Sequence, residues 1–113
     1  MPNILPIADW REKLLLILRR RKAFTVDGDS MSPGLASGNK VLVDPRAAIA
    51  VGDIVLARHP YKQTTRLIKR VTEISESGDY YLTGDNPDES TDSRTLGWFS
   101  PNDVWGRVIC RLK

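Results

Sequence analysis

The chain has 113 residues, of which 41% are hydrophobic and 27% are charged, and its formal net charge is +3. This length and composition are typical of one folded globular domain and exclude a disordered or fibrous chain. The small basic excess does not indicate nucleic-acid binding, because it is concentrated in the Arg-Arg-Arg-Lys run at residues 19–22.

One cysteine, Cys110, and one histidine, His59, exclude an internal disulfide and leave no cluster with the spacing of zinc ligands. We therefore expect no zinc site, and no other metal or cofactor is expected. The longest apolar run, residues 14–18, is much shorter than the roughly 20 residues that span a bilayer, and charged residues precede it. These features predict a cytoplasmic protein without a transmembrane segment.

The N-terminal segment has the pattern of one amphipathic helix. Asp9 can cap a helix that begins near Trp10, with Glu12 as the acidic partner of a capping box. An apolar stripe follows, formed by Leu14, Leu15, Ile17 and Leu18. We predict a division into residues 1–22, the helix and the basic run, and residues 23–113.

From residue 24 onward, short β-rich runs alternate with turn residues, which predicts a mostly antiparallel β domain. The predicted strands are residues 24–26, 40–44, 53–58, 66–74, 80–83 and 104–112. A hairpin-length connection contains residues 77–79, and residues 85–93 are predicted to be a loop.

Ser30 directly follows a predicted strand, between Gly28 and Pro33, in a turn that would expose its hydroxyl. Gly28 permits close approach of another chain, and successive backbone N–H groups near Ser30 could stabilise an oxyanion. This segment alone also fits an ordinary polar turn.

A serine nucleophile needs a base, and the sequence offers His59 or Lys69. No distinctive acid accompanies His59 to orient it. Strand alternation places Lys69 on the apolar face with Leu67 and Val71, where desolvation would lower its pKa and leave an amine that accepts a proton. The alternative is a lysine that extends past its apolar neighbours into solvent.

The segment at residues 84–94 is rich in acids and serines but lacks the spacing of a calcium-binding EF-hand loop. On its own it is also consistent with a structural loop held by turns and by an ion pair between Asp92 and Arg94.

Four motifs together resemble, in order, the conserved boxes of type I signal peptidases. They are Gly-Asp-Ser-Met-x-Pro at 28–33, Gly-Asp-Ile-Val at 52–55, Ile-Lys-Arg-Val at 68–71 and Gly-Asp-Asn-x-x-x-Ser-x-Asp-Ser-Arg at 84–94, with Gly-Arg-Val at 106–108. The resemblance spans roughly residues 24–109. It implies a signal-peptidase/LexA-like antiparallel β domain with a short N-terminal helix.

The resemblance also implies roles for individual residues. Ser30 would be the acylated nucleophile and Lys69 its general base, while Ser90 would bind the lysine amine, with Asp92 and Arg94 bracing that loop. Met31 and Pro33 would shape the substrate pocket. Some relatives carry an oxyanion-donating serine where this chain has Gly28, so an oxyanion hole here would depend on backbone N–H groups, chiefly that of Ser30.

The implied function is removal of an N-terminal propeptide or leader from a precursor protein. The expected short, anchorless form, with Gly-Asp-Asn-Pro at 84–87 and Ser-Thr-Asp-Ser-Arg at 90–94, looks most like the maturation proteases of nickel-containing superoxide dismutase. This resemblance implies that precursor as a soluble substrate. Two alternatives remain: processing of another precursor at a membrane surface, which the N-terminal helix would contact peripherally, and a non-catalytic peptide-binding β module. A self-cleaving repressor of the LexA type is a further class with serine/lysine chemistry. The repressor would need a DNA-binding unit, for which about 23 residues before the β region are too few.

Overall fold

The computed structural model describes residues 5–17, 21–89 and 91–112. In these ranges, six strands form a single antiparallel sheet in the order β1-β2-β6-β3-β4-β5. The strands are β1 (Lys22–Thr25), β2 (Lys40–Asp44), β3 (Ile54–Arg58), β4 (Arg66–Ile74), β5 (Tyr80–Thr83) and β6 (Val104–Leu112). The predicted mostly β fold with a short N-terminal helix is confirmed, and only β1 differs from its predicted bounds by more than one residue.

The N-terminal helix, α1 (Trp10–Ile17), begins where the capping signal predicts. The Glu12 backbone N–H donates to Asp9 Oδ1 at 3.1 Å. The predicted apolar stripe is not fully buried, because the Leu14 side chain is 46% exposed, and Leu18 lies outside the described residues. Ahead of the helix, the Ala8 N–H donates to the Arg111 carbonyl at 2.9 Å, which holds this segment beside β6. The division at residue 22 stays a prediction.

Hydrophobic side chains cover both faces of the central strand β3. Leu56 belongs to a core cluster with Val41, Val43 and Val108, whereas its neighbour Val55 belongs to a second cluster. The second cluster also contains Ala57, Val71, Leu82 and Phe99. Successive strand residues point to opposite faces, so two adjacent buried residues require packing on both sides of the sheet.

The end of β2 approaches β6 very closely at Gly106. A Cβ at this position would lie 2.6 Å from Val43 Cγ1 and 2.9 Å from the Asp44 carbonyl oxygen, so only glycine fits without displacement. Register shifts lie nearby, at Leu42/Val43 in β2 and at Leu56/Ala57 in β3. Such irregularities bend strands and increase the local twist.

The bent sheet brings β1 and β4 to the same groove, although three strands separate them in the sheet order. Arg66 of β4 lies with its guanidinium 5.6 Å from the ring centroid of Phe24 of β1. The groove between these two strands contains the candidate site.

Candidate active site

The groove between β1 and β4 has a volume of about 520 Å³, and both Ser30 and Lys69 line it. The structure therefore brings together the two residues that the first and third motif boxes contribute, which are 39 positions apart in the chain. Apolar side chains of both walls also line the groove, namely Phe24, Val26, Leu56, Leu67 and Ile68.

Both walls of the groove end in strand edges without a neighbouring strand among the described residues. β1 pairs only with β2, and β4 pairs with β5 only from Arg70 onward. Val26 exchanges hydrogen bonds with the β2 side, so in the alternating ladder the backbone groups of Ala23 and Thr25 point away from β2. By the same alternation, the His59 N–H bond to the Thr65 carbonyl indicates that Arg66 and Ile68 point their backbone groups away from β3.

The turn that carries Ser30 is fixed from behind by the loop at residues 84–86. The Asn86 backbone N–H donates to the Ser30 carbonyl at 2.8 Å, and its side-chain Nδ2 donates to the Asp29 carbonyl at 3.1 Å. The Asp85 N–H approaches Met31 Sδ at 3.5 Å. These contacts use the Asp29 and Ser30 carbonyls and the Met31 sulfur, and the Ser30 hydroxyl makes no hydrogen bond with another described residue.

Arg70 connects this loop to the second motif box. Its Nε and Nη2 donate to the two carboxylate oxygens of Asp85 at 3.0 and 2.9 Å, and its Nη1 donates to the Gly52 carbonyl at 2.7 Å. A bidentate arginine–carboxylate pair is geometrically specific as well as strong. Residues from the four boxes thus form one connected network behind the groove.

Lys69 is buried with only 2% of its surface exposed, and its strand partner is the fully buried Val55. Burial lowers the pKa of the Lys69 ammonium; the nearby Asp92 carboxylate raises this pKa and Arg94 lowers it. Desolvation outweighs the opposite charge, so the neutral amine becomes accessible at lower pH than for an exposed lysine. The predicted inward orientation is confirmed, and the solvent-extended alternative is wrong.

Asp92 is a buried structural acid. Its Oδ2 accepts the Gly84 N–H at 2.8 Å, and its Oδ1 accepts both the backbone N–H and the Nε of Arg94 at 3.0 Å. The predicted ion pair between Asp92 and Arg94 is therefore present. Asp92 also caps a short helix, α2 (Ser93–Leu96), which the sequence analysis did not predict.

The predicted loop at 85–93 is thus partly helical, since a 3-10 turn also covers Pro87–Glu89. The four residues of α2 are too few to show a helical period in the sequence. Asp92, which was predicted to be a loop residue, is the N-cap of this helix. Ser90, the predicted partner of the lysine amine, lies outside the described residues. Its neighbour Thr91 lines the groove, and no sequence signal identified it.

The pocket residues differ in part from the prediction. Gly28 lines the groove with φ +85°, but its N–H donates to Ser37 Oγ at 3.3 Å. Met31 is 1% exposed and packs in the hydrophobic core, while Pro33 is exposed, and neither lines the groove. Met31 instead belongs to the core cluster that contains Val26 and Leu35.

His59 lies apart from this site. Its ring is buried, its Nδ1 accepts the Tyr61 N–H at 3.1 Å, and it does not line the groove. In the described ranges, no three His, Cys, Asp or Glu side chains are grouped closely enough to hold a metal ion. The same ranges contain no helix with the length and apolar content needed to cross a membrane.

The chain matches the family model described as Peptidase S24-like over residues 7–109, and it belongs to that family. It is also similar to mitochondrial inner membrane protease subunit 1 of Xenopus tropicalis, with 29% identity over 108 aligned residues. The alignment covers 75% of this chain and 65% of the relative, so the chain spans just under two thirds of that protein's length. Both comparisons support the signal peptidase I-like class that the motif boxes predict.

Proposed function

We propose that this protein is a serine endopeptidase that uses a Ser30/Lys69 dyad to remove an N-terminal propeptide or leader from a precursor protein. One observation carries the proposal: a buried lysine with a lowered pKa lines the same groove as a serine in a tightly fixed turn. Membership of a peptidase family adds support.

The proposed mechanism is acyl transfer. Ser30 Oγ attacks the scissile carbonyl while the neutral Lys69 amine takes the hydroxyl proton, and the resulting ammonium gives that proton to the leaving amine. Lys69 then takes a proton from a water molecule that attacks the acyl-enzyme, and the Lys69 ammonium returns this proton to Ser30 Oγ as the acyl group leaves. The Ser30 N–H has no acceptor among the described residues and is the donor we assign to the oxyanion, whereas the Gly28 N–H already binds Ser37.

The substrate would bind as an extended strand between β1 and β4. The pairings from β1 through β2, β6 and β3 to β4 are all antiparallel, so β1 and β4 are parallel to each other. A peptide inserted between them would therefore be parallel to both strands or antiparallel to both. The outward backbone groups of Ala23, Thr25, Arg66 and Ile68 would pair with such a peptide.

As substrate we propose the precursor of nickel-containing superoxide dismutase, on the resemblance of residues 84–94 to its maturation proteases. The experiment is incubation of purified protein with this precursor, followed by intact-mass measurement. We expect one N-terminal cut by wild type and none by Ser30→Ala or Lys69→Arg, because an arginine does not deprotonate. If this precursor stays uncut while other precursors are cleaved, the proposed substrate is wrong and the proposed dyad still stands.

Matched controls separate the dyad from general damage. Ser32→Ala changes a serine in the same turn that does not line the groove, and Lys62→Arg changes an exposed lysine. Both should cut like wild type. Cleavage by Ser30→Ala or Lys69→Arg at the wild-type rate would refute the dyad, and mass analysis of the enzyme incubated alone tests self-cleavage of the LexA type.

A second candidate function is processing of precursors at a membrane surface. Trp10 and Ile7 are 69% and 48% exposed, and Leu14 of the same segment is 46% exposed. The exposed Arg11 and Lys13 would contact anionic lipid headgroups. Sedimentation with vesicles containing phosphatidylserine tests this candidate: binding that Trp10→Ala abolishes supports it, and absence of binding refutes it.

A further inference from the structure

A second cavity, with a volume of about 370 Å³, adjoins the far end of the groove from Ser30. The two cavities share Phe24, Leu56 and Arg66, so these side chains form the boundary at which the cavities meet. Lys22 and Trp105 line the second cavity only.

At the junction, the Arg66 guanidinium lies close to two aromatic rings. Its guanidinium carbon lies 5.0 Å from the Trp105 ring centroid and 5.6 Å from that of Phe24. Arginine that stacks on aromatic faces keeps its N–H edge available for a carboxylate, which it can bind with two parallel hydrogen bonds. Arg66 is exposed and forms no ion pair with a described residue.

The charges along the two cavities are separated. Lys22 and Arg66 line the far cavity, which has no acid among its described lining residues, whereas Asp27 and Asp29 line the groove at the Ser30 end. Asp103, next to the lining residue Val104, is bound by Arg58 Nε at 3.1 Å. The far cavity therefore presents unneutralised positive charge beside an aromatic wall.

We propose that this cavity, named here the Arg66 subsite, binds an acidic side chain of the substrate on the acyl side of the scissile bond. The inference rests on the proposed peptidase function and specifies its substrate class. Arg66 precedes Lys69 by three positions on β4, which corresponds to roughly 10 Å of strand. The acidic residue would accordingly lie about three or four positions before the cut.

The acyl side follows from the layout of the groove and from the chemistry. Both β1 and β4 run toward the Ser30 and Lys69 end, so the Arg66 subsite lies on one side of the nucleophile. After the amine product leaves, only the acyl part of the substrate stays attached to Ser30, and a groove that extends on one side retains that part until water attacks. The bound peptide then runs parallel to β1 and β4.

The test uses fluorescein-labelled ten-residue peptides of alanine and serine, each with a single glutamate or glutamine placed at one position. Binding to Ser30→Ala is measured by fluorescence anisotropy, and cleavage by wild type is measured as kcat/KM. We expect one glutamate position to bind roughly five- to tenfold more tightly than its glutamine counterpart, with a difference that shrinks as salt is raised. In peptides that are cut, that position should lie three or four residues before the cut.

Matched variants assign the effect to this cavity. Arg66→Gln in the Ser30→Ala background should abolish the preference for glutamate, and Lys22→Gln should reduce it. Arg11→Gln is the control, because Arg11 also stacks on a tryptophan, 5.4 Å from the Trp10 ring centroid, but lies outside both cavities. Thermal unfolding of each variant checks that it is folded.

The outcomes distinguish the two proposals. Equal binding of glutamate and glutamine peptides, a preference that survives Arg66→Gln, or a preferred acid after the cut would overturn the Arg66 subsite while leaving the dyad intact. Cleavage by Ser30→Ala would overturn the dyad, and the binding comparison would still decide the subsite.

Discussion

Arg70 and Lys69 are adjacent on β4, yet they serve opposite sides of the strand. Lys69 points into the groove, while Arg70 binds Asp85 with hydrogen bonds of 3.0 and 2.9 Å. Asp85 is followed in its loop by Asn86, whose backbone N–H donates to the Ser30 carbonyl. A single strand therefore positions both the proposed base and the loop that supports the proposed nucleophile.

Arg70→Lys should reduce kcat/KM about tenfold and lower the free energy of unfolding by about 1–2 kcal/mol. Lysine keeps the charge but does not make the bidentate contact with Asp85. Steady-state kinetics and urea denaturation measure the two effects. Arg107→Lys is the control, because Arg107 approaches Asp53 only at 4.0 Å; equal losses in both variants would contradict the role of the Arg70 network.

Arg94→Gln should move the acidic limb of the pH profile of kcat/KM to higher pH. The Arg94 charge lowers the pKa of Lys69, and Asp92 raises it, so removing Arg94 raises this pKa. The proposed base acts as a neutral amine, and a higher pKa requires a higher pH to produce it. Arg94→Lys keeps the charge, so its pH profile should stay close to that of wild type. A shift of the acidic limb to lower pH in Arg94→Gln would refute the assignment of this limb to Lys69.

Lys69→Met should change the pH dependence of stability. Burial lowers the folded-state pKa of Lys69 below 10.5, so the folded state binds this proton more weakly than the unfolded state. The resulting destabilisation of wild type is complete below the folded-state pKa and disappears as pH rises toward the unfolded value. Urea denaturation across this range should show that the free energy of unfolding of Lys69→Met, relative to that of wild type, decreases as pH rises. A difference that does not change with pH would contradict a lowered pKa of Lys69.

Gly106→Ala should destabilise the protein by about 3 kcal/mol or more, because the new Cβ would lie 2.6 Å from Val43 Cγ1 and 3.0 Å from Pro45 Cα. Gly34→Ala is the matched control, since its Cβ would meet only the Met31 carbonyl oxygen at 3.7 Å. Denaturant unfolding of both variants measures the difference. A Gly106→Ala protein as stable as Gly34→Ala would show that β2 and β6 separate easily at this point.

Much of the sheet could be predicted because its signals are local. The runs at β2, β4, β5 and β6 alternate or are continuously apolar between turn residues, and the structure has the predicted bounds there. β1 was misplaced because only four residues form it, and its position depends on pairing with β2. The predicted burial of Lys69 followed from the period of two along β4.

The position of a residue in the groove could be predicted where a motif names that residue, but not where core packing decides the direction of the side chain. Ser30 and Lys69 reach one groove as expected, but Met31 turns into the core instead of the groove. Arg66 and Trp105 were not identified, because their contact depends on the bend that brings β4, β1 and β6 together. No local pattern encodes that bend.

The two unpaired strand edges have a consequence for where a precursor is cut. A chain can occupy the space between β1 and β4 only after it gives up helix or sheet pairing of its own, because its backbone groups must face both walls at once. The conformation of the precursor would therefore limit where it is cut, before side-chain specificity has any effect. An unstructured leader would fit between the strands, whereas the folded domain that follows it would not. The proposed reaction would then stop once the leader is removed, because the folded mature protein would not fit between the two strands.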